Sequence, residues 1–245
     1  MASEKMKAAA FALVLIFLFL SGCISVEKKE GDITMVFEQI DFKTSDGFVI
    51  KGNLFRGGEE AVLLLHMLNS NKESYTNFAE KLNKAGFTVL AIDFRGHGES
   101  LQQKTFRKNW NDFKPSEFNE MILDAEGAND FLTAEGFKLK KVVGASIGAN
   151  VALNYSADNS AIEKVVLLSP GLDYRGVTTE DAAMKTNAMV LIVASEEDSY
   201  SFGSSGKLET EIANSEFKKL RNTGHGTAML VNTQIDSELV EWLKG

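Results

Sequence analysis

Residues 139–155 read LKKVVGASIGANVALNY. Leu139 to Ala145 predicts a strand and Ile147 to Tyr155 a helix, with Gly144-Ala145-Ser146-Ile147-Gly148 at the junction. A chain that passes from strand to helix within one residue needs a sharp, strained bend, and flanking residues without bulk make room for it. A serine at such a bend projects its hydroxyl above the sheet, beside the positive end of the following helix.

Outward from this junction the same alternation continues. Ala61 to His66 (AVLLLH) and Phe87 to Asp93 (FTVLAID) are continuous apolar runs, the pattern of strands covered on both faces. Lys164 to Ser169, Ala188 to Ala194 and Phe217 to Arg221 predict further strands. Thr34 to Phe42 and Phe48 to Phe55 predict two more, joined by the turn signal Ser45-Asp46-Gly47. Helical spacing marks Ser74 to Lys84, with Ser74 as the expected N-cap, Glu117 to Leu132, and Ile235 to Leu243. Apolar strands alternating with helices imply a mostly parallel sheet with helices on both faces. In such sheets reactive groups collect at the carboxyl ends of the strands.

The G-x-S-x-G pattern between strand and helix fits a nucleophile elbow, which makes Ser146 the candidate nucleophile. A serine needs a base, and the chain has three histidines. His66 ends a strand and His97 lies in Arg95-Gly96-His97-Gly98; both are expected to organise loops. His225, in Thr223-Gly224-His225-Gly226 between the last strand and the last helix, is the candidate base. The third member should be a carboxylate that fixes the imidazole tautomer. Asp198 is the choice, in Ser195-Glu196-Glu197-Asp198 after a strand, with Glu197 in reserve and Asp173 a more distant option.

With the candidates in the order Ser146, Asp198, His225, the sequence resembles the α/β-hydrolase superfamily, in particular its small esterase-like and dienelactone-hydrolase-like members. The likeness runs from Thr34 to the C-terminus and includes Asp93-Phe94-Arg95-Gly96-His97-Gly98-Glu99-Ser100, which matches the D-x-R-G-x-G-x-S segment that the family uses structurally. It implies an α/β-hydrolase fold with a mostly parallel central sheet of about eight strands. Pro170 to Asn187 leaves room for only a short helix, so no large lid is expected. The resemblance further implies an oxyanion hole formed by the backbone N–H groups of Leu68 and Ile147, with Met67 as the alternative to Leu68. Here the chain departs from the family, which commonly has His-Gly where this sequence has His66-Met67. A methionine in a left-handed conformation would be strained.

The implied activity is hydrolysis of a small or medium ester, with thioesters and amides not separable from it by sequence. A non-catalytic ligand-binding lipoprotein is the rival from another class. It leaves the ordered serine, acid and histidine without a purpose. The expected partner is a small-molecule substrate. No cofactor or metal is called for, since no histidine-rich or cysteine-rich ligand set exists. In the loop Leu101 to Pro115, Phe106, Trp110 and Phe113 either cover the sheet edge or line an acyl pocket.

The 245 residues are 44% apolar and 24% charged, as in an ordinary globular protein. A net charge of −8 gives no support to nucleic-acid binding. Residues 1–22 read as a signal segment: Lys5 and Lys7, the apolar run Ala8 to Leu20, then Leu20-Ser21-Gly22-Cys23. That ending resembles the lipobox of prokaryotic lipoproteins and implies lipidation of Cys23, the single cysteine, and an extracytoplasmic, membrane-anchored protein. Acyl chains bury about 0.8 kcal/mol per methylene. Residues 23–32, which include SVEKKEGD, then read as a tether, and 33–245 as the folded domain.

Overall fold

The structure is a computed structural model and describes residues 37–245. The signal segment, Cys23, the tether and the first residues of the expected Thr34 to Phe42 strand lie outside the described residues.

The labelled elements, in chain order, are β1 (Glu38–Lys43), β2 (Phe48–Phe55), β3 (Glu60–Leu65), α1 (Thr76–Lys84), β4 (Thr88–Ile92), α2 (Ile122–Ala134), β5 (Lys138–Ala145), α3 (Ile147–Asp158), β6 (Lys164–Leu168), β7 (Met189–Ser195), α4 (Ser199–Glu211), β8 (Ser215–Leu220) and α5 (Ile235–Lys244). The eight strands stand in the order β1-β2-β4-β3-β5-β6-β7-β8. β1 and β2 pair antiparallel with each other, and β2 pairs antiparallel with β4. Every pairing from β4 to β8 is parallel. A short hairpin, Gln102–Gln103 with Phe106–Arg107, adds to the edge at Phe48 and Val49 of β2. This is the α/β-hydrolase fold, with no lid domain among the described residues: residues 170–187 hold only a short hairpin (Asp173–Tyr174 with Val177–Thr178) and the helix Glu180–Lys185.

The period of two along each central strand divides the core into two layers. Leu63 and Leu65 of β3, Leu90 and Ile92 of β4, and Val165 and Leu167 of β6 face one way, against Ala128 and Leu132 of α2, Val151 of α3 and Leu208 of α4. Val62 and Leu64, Val89 and Ala91, and Val166 and Leu168 face the other way, against Phe78 and Leu82 of α1 and Leu239 and Leu243 of α5. Continuous apolar strands therefore feed both layers.

Three sequence expectations are corrected here. The expected helix from Glu117 to Leu132 is two helices, Pro115–Asn119 and α2, interrupted at Glu120 and Met121. Ser74 does not cap α1. Residues Lys72–Tyr75 wind as a 3-10 turn, the Ser74 hydroxyl donates to the Asn71 carbonyl, and α1 begins at Thr76. That turn delivers Lys72 into the core, where its ammonium lies 2.8 Å from Asp93 and its backbone N–H donates to the same carboxylate. Helix α4 was not expected: Gly203, Gly206 and several serines give it weak helix propensity, and burial of Ser201, Ser204, Ser205 and Leu208 holds it.

Candidate active site

Strands β5, β7 and β8 run parallel, so their carboxyl ends share one rim, and the three candidate residues follow those ends. Ser146 follows β5 directly at φ 53°, ψ −120°. This strained left-handed conformation is what the sharp bend requires. Small neighbours permit it. A Cβ on Gly144 would stand 2.1 Å from the Gly148 carbonyl oxygen, and one on Gly148 would stand 2.4 Å from that of Leu65. The Ser146 N–H donates to the Leu168 carbonyl on β6, which ties the bend to the sheet. Ile147 opens α3, so its N–H has no partner within the helix.

Asp198 precedes α4, and its Oδ2 lies 2.6 Å from Nδ1 of His225. A carboxylate only accepts, so Nδ1 carries the proton, and in the neutral ring the acceptor is Nε2. Burial works to raise the Asp198 carboxyl, but hydrogen bonds from His225 and Ser201 outweigh it and hold the group below its usual range. His225 is brought to the Ser146 side of the rim by its neighbour. The Gly226 N–H donates to Ser169 Oγ at 2.9 Å, and a Cβ on Gly226 would stand 3.5 Å from Cβ of Ala145.

Glu197 does something else. It accepts from the Ser195 hydroxyl (2.6 Å) and from the N–H groups of Asn222 (2.7 Å) and Gly224 (2.9 Å). Those bonds, the Ser195 hydroxyl foremost, hold its carboxyl down at about 2. It clasps the backbone of the loop that carries His225. Asp173 accepts from the Gly176 N–H inside its own hairpin.

The other two histidines organise loops, as expected. Burial lowers His66 to about 4 and His97 to about 3, so both stay neutral. His66 Nε2 accepts the Phe94 N–H while Nδ1 faces the Met67 carbonyl. His97 stacks on Trp110, with ring centroids 5.2 Å apart at 7°. Trp110 and Phe113 pack against the core, whereas Phe106 is exposed. In the segment after β3 the left-handed residue is Asn69 (φ 57°), not Met67 or Leu68. Asparagine tolerates that conformation, so the strain anticipated for methionine does not arise. The Met67 thioether instead packs beside Gly226 and Thr227.

Sequence reasoning missed three residues around these groups: Tyr174, Ser201 and Ser169. Each is an ordinary polar residue in sequence, and only the fold brings them together.

Residues 58–216 match the Hydrolase_4 family, serine aminopeptidase S33, a stretch that holds both Ser146 and Asp198. The chain belongs to this family. Among relatives of this S33-family protein, mouse serine hydrolase BPHL is 39% identical over 112 residues, 45% of this chain and 35% of its own length. The chain spans about a third of the length of the curated relatives it matches. Among solved structures, an esterase from Exiguobacterium antarcticum superposes with a TM-score of 0.68 at 15% identity, covering 84% of this chain and 99% of its own. A dienelactone hydrolase from Anabaena variabilis gives 0.65 at 19% identity, covering 85% and 97%. At such identities the likeness is one of fold.

Proposed function

We propose that this protein is a serine hydrolase that cleaves a small or medium ester through an acyl-enzyme on Ser146. The observation that carries this reading is the 2.6 Å Asp198–His225 hydrogen bond on the same rim as a serine held in a strained strand-to-helix bend. In the proposed reaction Nε2 of His225 takes the Ser146 proton as the oxygen attacks the carbonyl carbon. Asp198 keeps the tautomer and balances the imidazolium. The N–H groups of Ile147 and Leu68 are assigned to the oxyanion, each worth about 3 kcal/mol in the transition state. His225 then returns the proton to the leaving alcohol, and water releases the acyl group by the same route.

A serine-reactive fluorophosphonate tests the core of this. The intact protein should be labelled on Ser146, and Ser146→Ala should not be labelled. An unlabelled native protein, or a label on another residue, refutes it. The description of the matched family favours a second reading, hydrolysis of an amide at a peptide N-terminus. Turnover measured across short aryl esters, thioesters and aminoacyl amides separates the two.

We also infer from residues 1–23 that lipid on Cys23 anchors the domain outside the cytoplasm. The wild type should fractionate with membranes and Cys23→Ser should not. Equal fractionation of both removes the anchor.

A further inference from the structure

His225 is carried by a loop that leaves β8 and returns past β7 to the ends of β6 and β5. Gly226, the next residue, is buried, and a Cβ there would stand 3.5 Å from that of Ala145 and 2.8 Å from the Met67 sulfur. Ala145 and Met67 both belong to the layer packed on α1 and α5, so the loop lands on that side of the sheet. Where it lands, it meets the end of β6.

Two consecutive residues at that end hold both sides of the site. The Leu168 carbonyl accepts the Ser146 N–H at 2.8 Å, and Ser169 Oγ accepts the Gly226 N–H at 2.9 Å. The first bond is made to the nucleophile's own backbone, the second to the residue after the base. Ser169 is fully buried, and its N–H donates to the Val193 carbonyl of β7 at 2.8 Å, so the anchor is itself tied down. Its φ of 52° makes the second bond possible. Val165 and Leu167 face the other layer, so an extended residue 169 would put its side chain there too, away from the loop. The left-handed turn redirects the hydroxyl to the loop's side, in a conformation that strains serine and suits glycine.

We propose that Ser169 is a positioning residue that sets the reach of His225 to Ser146. The end of β6 acts as a bracket: Leu168 fixes the serine and Ser169 fixes the loop. Glu197 holds the same loop upstream, at Asn222 and Gly224, so two anchors flank the imidazole. The upstream anchor stands beside Asp198 and registers the ring to its acid. The downstream anchor stands beside the residue that holds Ser146 and registers the ring to its nucleophile. This rests on the reading of Ser146 and His225 given above.

The test uses the full chain with Ser169→Ala and Ser169→Gly. Both remove the acceptor, but alanine keeps the left-handed strain and glycine relieves it, so the glycine variant should unfold at the higher temperature of the two. Both should nevertheless lower kcat on a short aryl ester by the same factor, about 10–100-fold, the range for a displacement of up to about 1 Å, with KM within about twofold. Amide hydrogen exchange reads the anchor apart from turnover. In Ser169→Gly the Gly226 amide should exchange about tenfold faster, while the Gly224 amide, bonded to Glu197, should be unchanged. Rates that follow stability, with the glycine variant at wild-type kcat, overturn the proposal. So does a Gly226 amide that exchanges no faster, or a Gly224 amide that accelerates equally. If the wild type hydrolyses nothing and yet Gly226 alone loses protection in Ser169→Gly, the bracket stands and the hydrolase reading falls.

Discussion

Replacing Gly148 by alanine would place a methyl carbon 2.4 Å from the Leu65 carbonyl oxygen and 2.6 Å from that of His66, where ordinary contact begins near 3.4 Å. Both obstacles are main-chain atoms at the end of β3, so neither rotates aside. Helix α3 must therefore retreat from β3 by about 1 Å, carrying Ile147 and the Ser146 bend with it, and a misplacement of that size costs on the order of 100-fold in rate. Overpacking costs about 1–3 kcal/mol of stability, and the better helix propensity of alanine returns about 1 kcal/mol. The variant should thus fold, a little less stably, and be catalytically crippled. Gly203→Ala is the matched control. It adds the same methyl to a helix at a position with nothing within 4 Å. It should stabilise by about 0.5–1 kcal/mol and leave the rate unchanged. The assay pairs kcat/KM on a short aryl ester and the rate of fluorophosphonate labelling with urea unfolding of both variants. A folded Gly148→Ala within about threefold of wild-type kcat/KM would refute the claim that this close approach sets the site.

Three further outcomes are expected. Asp198→Asn should lower kcat by about 10³–10⁴-fold with the fold intact, since the amide no longer enforces the tautomer that leaves Nε2 free; a loss of under about tenfold counts against Asp198. Asp124→Ala strips the fully buried Arg95 of a carboxylate oxygen that lies 2.9 Å from both Nε and Nη2 and should cost about 3–5 kcal/mol, lowering Tm by about 6–20 °C in calorimetry. Glu197 sits below its usual 4.5, so its hold on the His225 loop is complete above about pH 4.5 and is lost as pH falls from there through about 2. The Tm gap between wild type and Glu197→Gln should therefore close over that window, and a gap independent of pH would sink the account.

Periodicity made the sheet legible because each central strand is buried on both faces, so Ala61–Leu65 and Val165–Leu168 are apolar throughout. Segments stabilised by tertiary contacts were less legible. Helix α4 has poor propensity and exists because Ser201, Ser204 and Leu208 pack inward, and the 3-10 turn before α1 exists because Lys72 must reach Asp93. The strand-to-helix bend at Ser146 was legible for a local reason. A strand-to-helix bend with glycines on both sides is a steric requirement that the sequence must state outright.

The choice between Glu197 and Asp198 was of a different kind. Both are acids after one strand, one residue apart, and no local rule separates them. What separates them is direction. Ser195 and Glu197 turn toward the backbone of the 222–224 loop, with Ser195 Oγ donating to Glu197 and accepting the Thr223 N–H. Asp198, one residue on, starts α4 and turns toward the imidazole at the end of that loop. The two carboxylates thus divide one task. Glu197 fixes where the loop lies, and Asp198 fixes how the ring on it points. Exchanging their identities should therefore cost more than losing either alone, because glutamate at 198 overreaches the ring by one methylene while aspartate at 197 falls one methylene short of the Gly224 N–H.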